Sequence, residues 1–171
     1  MGGHLLSESF ICSICGQAHG GLVTDWAFKL PDEVWAIPEA ERSKKARFNN
    51  DLCQFDNRNF IRCVLDVPFT EGTGSFGWGA WAEVDWRTFE HYLKIYDEDG
   101  TSGPTRAGKL ANSLQAYPGS LGTPVVIQFR DSSKRPSLYL AISDESLLAR
   151  EQRTGVGESR YHEILNIIQN R

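Results

Sequence analysis

The sequence predicts an α+β fold: a mostly antiparallel sheet with helices packed on one face and a small N-terminal CxxC metal-binding turn. Three observations lead there. Apolar residues recur with period two in Phe60 to Val67, Phe76 to Asp85 and Pro136 to Ile142, the signature of half-buried strands. Four strands read as two hairpin-like pairs, with helices between and after them rather than in regular alternation, which argues against a doubly wound parallel sheet. Cys12 and Cys15 stand two residues apart, with Gly16 next and His19 close behind.

Taken in order, Gly20-Gly21 releases the chain from the cysteine turn into a short extended or irregular stretch, Leu22 to Leu30. Pro31 to Ala36 opens like a helix, with proline early and Asp32 and Glu33 in the first turn. Pro38 stops it, and Glu39 to Phe48 reads as a charged, exposed second turn or short helix. Leu52 to Phe55 and Phe60 to Val67 form a hairpin around Asp56 to Asn59. Ile61, Cys63, Leu65 and Val67 form its wholly apolar face and point to the core. Phe76 to Asp85 is the most distinctive strand, with Asp85 placed to cap a helix from Trp86 to Tyr96.

Asp97 to Gly108 reads as a polar, glycine-rich loop, mobile or part of a site. Lys109 to Ala116 fits a short strand or a short helix. Val125 to Arg130 and Pro136 to Ile142 make the second hairpin. Ser143 or Asp144 caps a helix ending near Gly155, and Ser159 to Gln169 forms the last helix, docked on the sheet through Tyr161, Ile164, Leu165 and Ile168. The expected organisation is one domain over residues 1–171, with residues 10–21 packed on its main body.

Composition narrows the function classes. A formal net charge of −4 is poorly suited to neutralising phosphates, so nucleic acid is not an expected partner. The basic cluster Arg42, Lys44, Lys45 and Arg47 follows Glu39 and Glu41 and reads as a solvated helix face. No apolar run suits secretion or spanning a bilayer, so the expectation is a cytoplasmic protein without membrane contact. There, four cysteines are expected as thiols or metal ligands rather than disulfides.

A closed structural zinc site takes about four ligands. Cys12, Cys15 and His19 supply three, and Cys53, on a short strand beside a turn, is the expected fourth; His4, His91 and His162 are reserves. Cys63, among apolar neighbours, reads as core. Metal-free thiols, or a redox dithiol, are the competing readings of the pair. Gly16-Gln17 is a poor helix start for the redox one.

Trp81, Glu83 and Trp78 are the candidate ligand- or partner-binding residues. Trp81 shares a strand face with Gly77, Gly79, Glu83 and Asp85, so the glycines leave space beside an indole and two acids for a cationic or planar ligand. The competing and favoured reading is that a helix, such as the terminal one, lies over the glycines and Trp81 is core. Asp97-Glu98-Asp99-Gly100 lacks the remaining ligands of a calcium loop and reads as solvated acids.

The set Phe10-x-Cys12-x-x-Cys15-Gly16-x-x-His19, Asp51-Leu52-Cys53, Phe60-x-Arg62, Phe76-Gly77-Trp78-Gly79-x-Trp81 and Arg135-Pro136, with the C-terminal helix, resembles the bacterial family called domain of unknown function 2199. The resemblance implies a bacterial cytoplasmic protein and places Cys12, Cys15 and Cys53 in one motif set; it carries no established activity. The expected function is therefore a small non-catalytic module with a structural zinc ion, binding a protein or small molecule. The alternative is an enzyme using a metal or dithiol centre at Cys12 and Cys15.

Overall fold

The computed structural model describes residues 23–170 and, ahead of them, the backbone of Phe10–Ile11 and Ala18–His19. The elements run β1 (Phe10–Ile11), β2 (Ala18–His19), β3 (Asp25–Ala27), α1 (Asp32–Trp35), α2 (Glu39–Lys45), β4 (Ala46–Phe48), β5 (Leu52–Phe55) and β6 (Arg58–Pro68). Then come β7 (Ser75–Val84), α3 (Trp86–Ile95), β8 (Arg106–Leu110), β9 (Pro124–Gln128), β10 (Ser137–Leu140), α4 (Leu147–Thr154) and α5 (Glu158–Gln169).

The fold is α+β, but the sheet is not open. Strands β6, β7, β8, β9 and β10 close into a five-stranded barrel, extended by β3 on one side and by β5 and β4 on the other. Closure depends on the length of the central ribbon. Strand β6 pairs with β7 along its whole length, from Asn59 opposite Val84 to Pro68 opposite Ser75. Its other edge is shared, with β5 along Arg58 to Ile61 and β10 at Val64. The β10–β6 contact is parallel, and the Val64 N–H donates to the Pro136 carbonyl at 2.9 Å. Strand β7 divides its free edge likewise, between a parallel β3 and an antiparallel β8. Neighbouring hairpins fix most register, whereas closure joins strands more than seventy residues apart, which local alternation does not encode.

Both expected hairpins form. Asp56 and Asn57 take φ of 53° and 58°, so the two-residue turn between Phe55 and Arg58 matches the twist of its strands. Asp85 caps α3 by accepting the Thr88 N–H at 2.8 Å. Ser146, rather than Ser143 or Asp144, caps α4 through the Ala149 N–H. Two strands differ from expectation. Ala46–Phe48 leaves the charged helix as strand β4, and Arg106–Leu110 makes β8 from the end of the expected loop. The remainder of that loop is tied down: the Gly100 N–H donates to the Arg130 carbonyl at 3.0 Å. A Cβ at Gly100 would stand 2.8 Å from Phe129 and 2.9 Å from Ile95, so the close approach requires glycine.

Two apolar clusters result. The inner one joins Ile61, Cys63, Leu65 and Val67 of β6 and Phe76, Trp78, Ala80 and Ala82 of β7 to buried residues of α3, α4 and α5. The outer one, on the opposite face of the ribbon, gathers Leu30, Val34, Ala46, Cys53, Phe60, Trp81 and Ala111. Helices therefore pack on both faces, since α1 contributes Val34 to the outer cluster. The expected one-faced arrangement holds only for α3 to α5.

Candidate functional site

On the outer face of β6 and β7 the sequence left two readings, a groove at Trp81 or a helix covering it. Trp81 has none of its surface exposed, and neither does Trp78 on the inner face, so Trp81 is core and no groove opens there. The cover is a strand rather than a helix: β3 fills the space beside Gly79, while Asp66 and Val64 of β6 approach Gly77. A Cβ on Gly79 would lie 2.9 Å from the Ala27 side chain, and one on Gly77 3.2 Å from Asp66 Oδ1. Strand β3 lies beside the glycines in parallel register, Asp25 opposite Gly77 and Ala27 opposite Gly79.

Residues 28–32 complete the cover, held by one buried side chain. Asn112 Oδ1 accepts the Trp81 backbone N–H at 2.8 Å, while its Nδ2 donates to the Leu30 carbonyl at 3.0 Å and to Asp32 Oδ1 at 2.9 Å. Asp32 Oδ2 accepts the Ser113 N–H at 2.8 Å. The Trp81 indole N–H donates to the Phe28 carbonyl at 3.0 Å, so both N–H donors of a large buried residue are used.

Glu83 is half-buried at the rim of this cluster and already has a cationic partner. Arg58 grips it bidentately at 2.8 and 2.9 Å and also pairs with Glu33. The hydrogen bonds from Arg58 hold the Glu83 carboxyl below the usual carboxylate range. This triad ties α1 to the β5–β6 turn, an ionic clamp rather than an open anionic site.

The thiols that the structure describes are inert by environment. Cys53, expected as a fourth metal ligand, is 1% exposed in the outer cluster, and burial pushes its thiol up to about 12. Desolvation likewise raises Cys63. Nucleophilic chemistry needs the free thiolate, which these apolar surroundings oppose. Register also sets Cys53 apart from the end of the N-terminal segment. Thr24 accepts from the Gly77 N–H, whereas Cys53 lies opposite Phe60, which lies opposite Glu83. Gly77 and Glu83 are six residues apart on one strand, roughly 20 Å. Cys12 and Cys15 lie outside the described residues, as does the side chain of His19; among the described residues no group of three His, Cys, Asp or Glu is arranged for a metal.

Two surface grooves flank α2 and β4. A groove of about 590 Å³ is lined by Lys44, Lys45, Arg47, Asn57 and Trp86, among others. A second, of about 830 Å³, is lined by Lys29, Trp35, Arg42, Phe48 and Arg62 among others. Arg42 lies 4.2 Å from the centre of the half-exposed Trp35 ring and donates to the Ile37 and Trp35 carbonyls, both at 2.9 Å. Asn112, the Arg58 clamp and this aromatic-lined groove escaped sequence reasoning, because their partners lie far apart in the chain; only the basic run of α2 was visible.

No helix of the described chain is long and apolar enough to cross a membrane. No curated protein and no solved structure matches the chain. A family model described as "Uncharacterized protein conserved in bacteria (DUF2199)" matches residues 11–156, from the first described strand to the end of α4 and just beyond. The chain belongs to that bacterial family, domain of unknown function 2199.

Proposed function

We propose that the chain is a non-catalytic binding module whose N-terminal turn is clasped by a structural Zn²⁺ held by Cys12, Cys15 and His19, with Cys53 as fourth donor. The observation that carries this reading is the register of β1 with β2. Phe10 lies opposite His19 and Ile11 opposite Ala18 in a short antiparallel ladder, with six residues of sequence between its strands. Two thiols in that interval, followed by glycine and then a histidine, match the donor types and spacing of structural zinc sites. A two-stranded ladder this short is marginal alone, and a metal would supply what a core cannot. Cys53, 1% exposed in the outer cluster, is the expected fourth donor, its thiol proton displaced by the metal itself. The rigid barrel and its tied-down loops then serve as a scaffold presenting an exposed face to a protein or small-molecule partner.

Metal analysis of the purified full chain alongside a thiol titration tests this. The expected result is about one zinc per chain, with Cys12→Ser lowering zinc content and reducing Tm by several degrees, on the order of 2 kcal/mol. Metal-free protein that readily forms a Cys12–Cys15 disulfide would overturn it.

A further inference from the structure

Strand β4 ends the sheet among the described residues, pairing only with β5. Its alternation can be followed. The Ala46 N–H is taken by the Arg42 carbonyl of α2, and the Asn49 N–H goes to the Leu52 carbonyl, so Arg47 is the residue that faces β5. The N–H and carbonyl of Phe48 and the carbonyl of Ala46 therefore lie on the outer edge.

Charge gathers around that edge. Lys44, Lys45 and Arg47 are exposed, and among the described residues none of them has an ion-pair partner. The chain as a whole is acidic, with 22 Asp and Glu against 18 Lys and Arg, so these three cations stand out against their background. Phe48, 42% exposed, and Trp35, 52% exposed, offer apolar contact in the groove beside them.

We infer that the free edge of β4 is a docking strand for an extended acidic segment of a partner protein, which adds to the sheet and places its carboxylates against Lys44, Lys45 and Arg47. Strand addition uses main-chain bonds for affinity and alternate side chains for specificity, and here the alternate positions are cationic and aromatic. Like charge disfavours a second copy of the same edge, since basic residues on edge strands oppose self-pairing. Nucleic acid fits less well, because the acidic remainder of the chain would repel a phosphate backbone running past the patch. The inference rests on the reading of the chain as a binding module and names its partner class.

Fluorescence anisotropy on the full chain tests it, with a labelled peptide of about eight residues alternating glutamate and valine. Wild type is expected to bind, with affinity falling as salt rises. Replacing two glutamate-flanked valines by proline, which cannot join a ladder, is expected to abolish binding. The surface variant K45E/R47E is expected to weaken it by about tenfold or more, with Tm unchanged. Equal binding of the proline peptide, displacement by a short single-stranded oligonucleotide at lower concentration than by unlabelled peptide, or no binding at all would overturn the inference. Wild type and K45E/R47E are also compared as lysate baits. A partner retained equally by both leaves the module reading standing and removes β4 as its site; absence of any retained protein together with no peptide binding overturns the β4 inference, while the zinc measurement decides the module reading separately.

Discussion

Trp81→Ala is expected to destabilise the protein by about 3–5 kcal/mol, measured by urea denaturation with unchanged m-value. The ring has no exposed surface and is the largest side chain of the outer cluster. Its removal leaves a void in the cluster it forms with Phe60, Cys53, Val34 and Leu30, on a sheet face whose closed ribbon cannot easily collapse. The Phe28 carbonyl also loses its donor. Trp81→Phe separates the two contributions: it keeps most of the volume and loses the hydrogen bond, and should cost about 1–2 kcal/mol. A loss below about 1 kcal/mol for the alanine variant would mean that the ring lines open space and that residues 28–32 do not cover it.

The second large effect is expected at Asn112. Asn112→Leu keeps the approximate volume but strips an acceptor from the Trp81 N–H and donors from the Leu30 carbonyl and Asp32. Orphaned buried groups carry their full desolvation cost, so a loss of about 2–4 kcal/mol is expected. Hydrogen exchange gives the more diagnostic readout. Protection should fall first at the Trp81, Asp32 and Ser113 amides, because residues 28–32 are the segment that Asn112 holds down. A variant that unfolds no earlier than wild type and keeps these amides protected would show that the side chain is dispensable.

How far the sequence reveals this architecture depends on the range of each interaction. Period-two alternation correctly assigned Ile61, Cys63, Leu65 and Val67 to a buried face, and Asp85 and Gly155 marked helix ends, because those signals reside within a few residues. The second buried face of the ribbon was hidden. Phe60 and Trp81 alternate with Arg62 and Glu83, so their side reads as mixed and solvent-facing, yet residues 28–34 bring their own Leu30 and Val34 to cover it. The glycines beside Trp81 illustrate the ambiguity well: a missing Cβ serves a ligand groove or a close strand equally, and the parallel pairing of β3 decides for the strand. Strand β4 was masked by helix-forming lysines just before it, and Ala46 turns inward only because β5 is there to pair with it. For the candidate metal turn the informative signal remains the local one, C-x-x-C-G-x-x-H, while Cys53 lies in the outer cluster.

The most direct test of the clasp is X-ray absorption at the zinc edge on the full chain carrying about one equivalent of zinc. The account predicts sulfur donors near 2.3 Å, from Cys12, Cys15 and Cys53, together with nitrogen from His19 near 2.0 Å. An all-oxygen shell would mean that the N-terminal turn does not hold the metal and contradicts the account.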